Sequence, residues 1–192
     1  VRPDSGTLTV RVKVQKIASS SGMIIQTFDY EVHAAAGLVY KGDTYFGFFS
    51  KKALSQQVGI REAKVYAPSE AERARSLAAG PFPGESPYPL PQLRMLERVE
   101  CFVPDGGPKG LGFIEGTLPV DPGAWFFKAH FYQDPVIPGS LGLESFLQLV
   151  KHVAMARWGG RVAKLQMIGS PHRWVYRGQV LPSDKLVTVQ AA

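Results

Sequence analysis

A single long helical pattern among many strand patterns is the feature that most restricts the possible folds of this chain. Residues 143–158 place apolar side chains at steps of three and four, which is the spacing of a helix that buries one face. These side chains are Phe146, Leu147, Val150, Val153 and Ala154. Gly159 and Gly160 follow directly and predict the end of the helix. The chain is therefore predicted to be an α+β protein in which one buried helix packs against antiparallel strands.

Strand patterns fill the first 50 residues, where no helix is predicted. Residues 7–14 alternate apolar and polar side chains, the period of a half-buried strand. The rest of this antiparallel meander is predicted at 22–33, 38–40 and 44–49. Further strands are predicted at 99–103, 111–118, 173–180 and 185–191. Strands thus lie on both sides of the helix along the chain.

A proline-rich stretch separates the two groups of strands. Ser69 as N-cap and Glu72 three residues later predict a helix that runs to about residue 79. Five prolines between residues 80 and 91 then indicate an extended connector exposed to solvent. The predicted organisation is a first domain at 1–60, a linker at 61–92 and a second domain at 93–192. A short helix or helical turn is predicted at 93–99, where the second domain begins.

The two ends of the chain resemble each other. Residues 1–10 align without gaps on residues 180–189, with Val, Pro, Thr and Val in common at an offset of 179 residues. A repeat of one domain explains this match, and chance agreement over so short a stretch is the alternative. If the repeat is real, the chain is expected to begin midway through one copy. The missing initiator Met also suggests a piece of a longer polypeptide.

Composition excludes several classes of protein. Hydrophobic residues make up 45% of the chain and charged residues 20%, which excludes extensive disorder. No run approaches 18 apolar residues, so no segment is expected to span a membrane, and the first residues lack the features of a signal peptide. The net charge of +6 is scattered, which gives no support to nucleic-acid binding. The single cysteine, Cys101, excludes a disulfide framework or a thiolate zinc site and favours the cytoplasm.

Residues 125–148 carry the side chains that are suited to chemistry. His130 follows an aromatic-rich stretch that is predicted to be the end of a strand. After a loop with two prolines, Gly139 opens the helix, where free N–H groups and the helix dipole favour developing negative charge. Glu144 and Gln148 are four residues apart and share one face, so the amide can orient the carboxylate.

Each of these residues also has a structural explanation. His130 alone could be a core histidine bonded to a backbone carbonyl, Glu144 a first-turn residue matched to the helix dipole, and Asp134 a turn residue before proline. The combination is harder to explain structurally, because an acidic residue among apolar neighbours is costly without a reason. No role is assigned to His33, His152 and His172.

The segment resembles the β-hydroxyacyl thioester dehydratases of the hotdog fold, in particular the β-hydroxydecanoyl branch. The resemblance covers about residues 93–192. It rests on residues 94–99, His130-Phe131, Asp134-Pro135-Val136, Pro138-Gly139, residues 141–144, Gln148 and residues 177–182. Residues 7–49 look like the closing strands of a preceding copy, as in the tandem dehydratase domains of polyunsaturated fatty acid synthases. The decanoyl branch usually has Asp where this chain has Glu144, which leaves its double-bond isomerase activity open.

The resemblance implies a fold and a reaction. The fold is a long central helix wrapped by a curved antiparallel sheet, either permuted or part of a double hotdog. A permuted hotdog would join residues 7–49 and 93–192 in one sheet around the helix. The reaction is dehydration of a (3R)-3-hydroxyacyl group on acyl carrier protein to the trans-2-enoyl thioester. His130 would be the general base, a partly protonated Glu144 the general acid, the Gly139 N–H the donor to the thioester oxygen, and Gln148 the orienting residue.

The resemblance further implies no metal and no cofactor beyond the phosphopantetheine arm of the carrier. The expected partners are acyl carrier protein, other domains of the synthase, and a second hotdog in a homodimer or a tandem pair, because the His and the acid of one site come from facing hotdogs. Nucleic acid and membrane are not expected as partners. A non-catalytic scaffold or acyl-binding pseudo-dehydratase is the main alternative function, and a hotdog thioesterase is a weaker one.

Overall fold

The computed structural model describes residues 4–56, 60, 62, 64–77, 79–85, 88–131, 133–159 and 173–192. The chain forms two compact units, residues 1–58 and residues 59–192. Each unit is built around its own antiparallel sheet. Among the described residues, no helix is long and apolar enough to cross a membrane.

The first unit is the predicted three-stranded meander. Its strands are β1 (Thr9–Ser20), β2 (Met23–Ala34) and β3 (Gly37–Phe49), in the order β1-β2-β3. All three pair antiparallel, and β3 is one continuous strand where two separate patterns were predicted. The tight connection at Ser21 and Gly22 has positive φ at both residues, 49° and 79°, as such hairpins require. A one-turn helix, α1 (Lys51–Leu54), follows with Ser50 as its N-cap.

The second unit contains a four-stranded sheet and the long helix. Its helices are α2 (Glu70–Arg73), α3 (Trp125–Ala129) and α4 (Gly139–Trp158). Its strands are β4 (Gly80–Pro81), β5 (Arg98–Val103), β6 (Phe113–Pro119) and β7 (Leu186–Ala191), in the order β4-β5-β6-β7. All neighbouring strands are antiparallel, and α4 packs against β6 and β7. A single long helix on an antiparallel sheet is the architecture that the sequence predicts.

The core of the second unit explains why α4 forms. Leu149 is fully buried and belongs to one cluster with side chains from the sheet and from the segments beside it, namely Phe82, Leu96, Val99, Phe102 and Ile114. Burial of each such side chain contributes roughly 1.5–3 kcal/mol of transfer free energy, which stabilises the helix more than its intrinsic propensity does. The helix begins at Gly139, four residues before the predicted start, and the carbonyl of its N-cap, Pro138, accepts from the Leu141 and Gly142 N–H groups. It ends at Trp158 as predicted, and Gly159 follows with a φ of 59°.

The proline-rich segment is not the solvated linker that its composition indicates. Gly80 and Pro81 pair with β5, and the Phe82 N–H donates to the Glu97 carbonyl at 2.7 Å. The Phe82 side chain is only 3% exposed and packs against Tyr88 in the main core cluster. Pro81 lies in extended backbone, as predicted, but this backbone forms the short edge strand β4, and the buried Phe82 follows it directly.

Two short helix predictions are also wrong in extent. Ser69 caps α2 as predicted, with the Glu72 N–H donating to its hydroxyl, but the helix ends at Arg73. Leu77 instead forms a β-bridge to Phe102, so pairing with the sheet prevails over local helix propensity. The helix or helical turn predicted at 93–99 is a 3-10 turn that lies earlier, at Pro91–Leu93, and β5 already begins at Arg98.

Two predictions about the sheets fail as well, one of a strand and one of a shared sheet. Residues 173–180 run alongside the loop before α4 without forming a strand, and they hold that loop through the hydrogen bond from the Ile137 N–H to the Val180 carbonyl at 3.0 Å. One sheet shared by residues 7–49 and 93–192 is not found either. Within the described part of the chain, β1, β2 and β3 pair only with one another. Pairing of neighbouring strands through short hairpins costs less loop-closure entropy than pairing of strands that are far apart in the chain.

Candidate active site

The first turn of α4 presents the backbone donors of the candidate site. Gly139 is the first helical residue, and the Pro138 carbonyl accepts from Leu141 and Gly142 at 2.9 and 3.2 Å. The Gly139 and Ser140 N–H groups have no hydrogen-bond partner among the residues that the structure describes. These donors stand at the positive end of a 20-residue helix, where a developing anion is stabilised.

Close packing favours glycine at this position. A Cβ on Gly139 would lie 3.1 Å from Cε1 and 3.2 Å from Cδ1 of Tyr176. The Tyr176 ring therefore covers the Cα of Gly139, and burial raises the pKa of its phenol, which keeps it neutral. No local pattern in the sequence predicts this contact, because it joins the start of α4 to a loop that lies well beyond the end of the helix.

Glu144 and Gln148 meet on α4 as their spacing predicts. The Gln148 amide donates to the Glu144 carboxylate, Nε2 to Oε1, at 2.9 Å. The same Nε2 donates to the Leu93 carbonyl at 2.8 Å, and Oε1 accepts from the Met95 N–H at 3.0 Å. Gln148 is 1% exposed, so this amide is buried with both its donor and its acceptor satisfied. The carboxylate of Glu144 is thereby held by a side chain that is itself fixed to the backbone of another segment.

His130 lies at the end of a helix and not, as predicted, at the end of a strand. It is the C-cap of α3, and its N–H donates to the Phe126 carbonyl at 3.0 Å. The helix forms because Phe126 and Phe127 are both buried, in a cluster with Met95. Neighbouring apolar side chains in this stretch therefore anchor a short helix, where the sequence pattern suggests a strand.

The imidazole of His130 has an unusual environment. Its ring stacks on Phe131 with centroids 3.9 Å apart and an interplanar angle of 30°. Its Nδ1 is buried and has no hydrogen-bond partner among the described residues. A buried ring nitrogen of this kind is uncommon in a histidine with a purely structural role, because such a residue normally bonds a carbonyl or a carboxylate. The described residues therefore include no carbonyl partner for Nδ1 of the kind that the core-histidine explanation requires.

One backbone segment connects the two helices that carry these side chains. Met95 donates its N–H to Gln148 on α4, and its side chain packs against Phe126 and Phe127 on α3. Within the described residues, His130 makes no hydrogen bond to Glu144 or Gln148. Glu144 and Gln148 are therefore in direct contact. Among the described residues, the segment around Met95 connects this pair to the helix that ends at His130.

Comparison with known proteins identifies the family. The family model of the FabA-like domain matches residues 88–192, a range that contains His130, Gly139, Glu144 and Gln148. The chain belongs to the FabA-like family. It is also 31% identical over 187 residues to one of the subunits of the polyunsaturated fatty acid synthase of Thraustochytrium sp. (strain ATCC 26185 / S-3). That alignment covers 85% of this chain but only 12% of the relative, so the chain spans a small part of that protein.

The family confirms the resemblance that the sequence shows and the predicted fold class. The second unit of the FabA-like chain has the antiparallel sheet and long helix of a hotdog. The boundary of the family match, residue 88, lies within the segment that packs on the core of this unit. The assignment of the first unit to a preceding hotdog copy stays a prediction.

A cleft of about 380 Å³ lies next to the candidate site of the FabA-like domain. Its wall includes the apolar side chains of Met95, Phe126 and Ile137. Met95 is hydrogen-bonded to Gln148 and Phe126 to His130, and Ile137 is two residues before Gly139. Arg94 and Trp125 also line the cleft, and the Trp125 indole N–H donates to the Gln92 carbonyl at 3.0 Å. No group of three or more His, Cys, Asp or Glu in the described ranges is arranged to hold a metal ion.

Proposed function

We propose that the second unit provides the catalytic residues of a 3-hydroxyacyl-acyl carrier protein dehydratase in fatty acid synthesis. The observation that carries this proposal is the Glu144–Gln148 pair, which is fixed by the hydrogen bonds of the buried Gln148 and lies on the same helix that Gly139 opens. The match of residues 88–192 to the FabA-like domain supports the same chemistry.

The proposed reaction is an elimination of water across C2 and C3 of the acyl chain. His130 takes the proton from C2, and the C–H electrons form the C2–C3 double bond as the C3–O bond breaks. Glu144 gives a proton to the departing hydroxyl, which leaves as water. The Gly139 N–H donates to the thioester oxygen and stabilises its enolate character, an interaction that is typically worth about 10²–10³ in kcat for one such donor. Gln148 positions the Glu144 carboxyl.

The substrate is proposed to arrive on the phosphopantetheine arm of acyl carrier protein, with no metal and no further cofactor. The apolar cleft beside Ile137 offers space for part of an acyl chain. The relative belongs to a polyunsaturated fatty acid synthase, which supports a role for this chain among the other domains of such a synthase.

A complete site is proposed to need a second hotdog, as a homodimer or a tandem pair. Two observations support this. His130 and Glu144 share no hydrogen bond within the described chain. Large aromatic side chains beside His130 are also exposed, with Phe131 55% and Trp125 49% accessible to solvent. Exposed aromatic residues around a site are typical of a surface that another domain covers.

The test is dehydration of a 3-hydroxyacyl thioester of acyl carrier protein, followed by the absorbance of the enoyl product. His130→Ala is expected to lower turnover about 10²–10⁴-fold, because no other described side chain in the site is suited to take the C2 proton. The variant should keep the circular dichroism spectrum of the unmodified protein, since the buried Nδ1 of His130 makes no hydrogen bond to the described core. Near-normal turnover by the folded variant would favour the acyl-binding pseudo-dehydratase instead.

A further inference from the structure

Tyr176 stands beside the backbone donors of the candidate site. Three consecutive carbons of its ring, Cδ1, Cε1 and Cζ, lie 3.2, 3.1 and 3.3 Å from the position that a Cβ on Gly139 would occupy. Cζ is the carbon that carries the hydroxyl, so the hydroxyl is held next to the first turn of α4. That turn also presents the Gly139 and Ser140 N–H groups. The start of α4 thus has a side-chain donor beside its backbone donors.

The backbone around Tyr176 is anchored to α4 and to the loop before it. Two residues earlier, the Trp174 ring packs edge to face on Phe146 of α4, with centroids 5.5 Å apart. Four residues later, the Val180 carbonyl accepts from the Ile137 N–H at 3.0 Å. Contacts on both sides of Tyr176 therefore limit the movement of its ring. A donor that is held in place before the substrate binds needs little reorganisation during the reaction.

Packing explains the ring of Tyr176 but not its hydroxyl. A phenylalanine ring could make the same carbon contacts with Gly139. Among the described residues, the hydroxyl has no hydrogen-bond partner, and the residue is 52% exposed, which leaves space for a ligand beside it. Burial of part of the ring raises the pKa of the phenol, so the hydroxyl keeps its proton near pH 7 and can donate it in a hydrogen bond.

We propose that Tyr176 is a further catalytic residue, whose hydroxyl donates a hydrogen bond to the thioester carbonyl oxygen of the substrate, beside the Gly139 N–H. This inference rests on the proposed function, because its ligand is the 3-hydroxyacyl thioester of that reaction. As His130 takes the C2 proton, negative charge develops on the carbonyl oxygen, and hydrogen bonds to it become stronger. The hydroxyl therefore stabilises the transition state more than the bound substrate, which predicts a larger effect on kcat than on KM.

The kinetic test compares Tyr176→Phe with Tyr88→Phe in the dehydration assay. Tyr176→Phe keeps the ring against Gly139 and removes only the hydroxyl. It is expected to lower kcat about tenfold or more and to raise KM less than about threefold. Tyr88→Phe is the matched control, because the Tyr88 hydroxyl lies 3.3 Å from Nδ1 of His152, away from the start of α4. It should change kcat less than about twofold.

An infrared measurement tests the hydrogen bond itself, without turnover. In the His130→Ala variant the substrate stays unreacted, so the 3-hydroxyhexanoyl thioester of pantetheine, labelled with carbon-13 at the carbonyl, can be titrated into the protein. The carbonyl stretch is expected to move to lower frequency on binding, because a hydrogen bond to the oxygen weakens the C=O bond. Adding Tyr176→Phe should reduce this shift, whereas adding Tyr88→Phe should leave it unchanged.

Three outcomes would overturn the proposal. They are a kcat of Tyr176→Phe equal to that of the unmodified chain, a carbonyl shift that is the same with and without the Tyr176 hydroxyl, and no binding of the labelled thioester. The first two leave dehydration intact, so they differ from failure of the proposed function, which is normal turnover by folded His130→Ala or none by the unmodified chain. In that last case the infrared comparison still decides the role of the hydroxyl.

Discussion

Gln148 is the side chain that ties the candidate acid to the rest of the second unit. Its amide joins Glu144 to the backbone of Leu93 and Met95, and the residue is almost fully buried. The spacing of four residues predicts the bond to Glu144, but no sequence pattern predicts the two bonds to a segment 53 and 55 residues away. Gln148 therefore has a structural role in addition to the positioning role that its spacing suggests.

This double role leads to a prediction for Gln148→Ala. The variant leaves the buried Met95 N–H and Leu93 carbonyl without their partner, so its free energy of unfolding should fall by about 1–3 kcal/mol. Glu144→Ala is the matched control, because it removes only the hydrogen bond from the Gln148 amide. It should lower the free energy of unfolding by less than Gln148→Ala does. Urea denaturation measures both. Equal stability of the two variants would contradict the assigned hydrogen bonds.

Gly139 and Gly142 lie on the same turn of α4 and provide a second prediction. Gly139→Val should lower kcat about 10²-fold or more, because the side chain presses on Tyr176 and obstructs the approach to the N–H. A Cβ added at Gly142 would meet no atom within 4 Å, so Gly142→Ala should leave turnover unchanged. It should also stabilise the helix by about 0.5–1 kcal/mol, as alanine does in helix interiors. Similar losses of kcat in both variants would contradict the role given to the Gly139 N–H.

Among the secondary-structure elements, the proline-rich segment departs most from expectation. Its composition predicts an extended, solvated backbone, yet the described part of the segment contributes a short edge strand and a core phenylalanine. Proline content determines backbone conformation, whereas burial depends on whether another surface is available to cover the side chains. The 3-10 turn and the α3 helix show the same dependence on surrounding structure.

A stability measurement on this segment gives a third prediction. Phe82→Ala should lower the free energy of unfolding of the second unit by about 3–5 kcal/mol, the usual cost of truncating a buried phenylalanine. Leu90→Ala, in the same segment but 73% exposed, should change it by less than about 0.5 kcal/mol. If the segment were a solvated linker, both substitutions would change the free energy of unfolding by similarly small amounts. Thermal denaturation therefore distinguishes a packed segment from a solvated linker.

At the scale of the whole molecule, the stability of the second unit is expected to depend on pH through His152. The His152 ring lies among Phe82, Tyr88 and Phe102, and its Nδ1 is 3.3 Å from the Tyr88 hydroxyl. Burial lowers the pKa of His152 and raises the pKa of Tyr88, so both groups are neutral in the folded protein near pH 7. No role is assigned to this histidine from sequence alone, and the structure places its partly buried ring against Phe82 and Phe102 of the core.

The sign of the pH effect follows from the lowered pKa. The unfolded chain binds a proton on His152 near pH 6.5, whereas the folded chain resists it, so stability is complete above that pH and falls as pH decreases below it. The free energy of unfolding of the second unit should therefore fall between about pH 7.5 and 5.5. His152→Phe should flatten this dependence, while His33→Gln on the first unit should not. An unchanged slope in His152→Phe would refute the assignment.

The sequence by itself determined the features that depend on residues close together in the chain. These are the long helix with its end at Gly159, the three-stranded meander, the cap at Ser69 and the contact between Glu144 and Gln148. Helix and hairpin periods, capping and four-residue spacing are local properties, so a linear pattern contains them. The motif around His130 was likewise sufficient to place the chain in its family.

Only the tertiary structure decided which surfaces those elements bury. It placed Phe82 in the core, fixed Gln148 to the backbone of Leu93 and Met95, turned the stretch before His130 into a helix, and set Tyr176 against Gly139. Each of these contacts joins residues far apart in sequence, or depends on a partner that exists only after the sheet has formed. Their stability comes from desolvation and packing between distant segments, and a local pattern contains no information about which distant segment will be there.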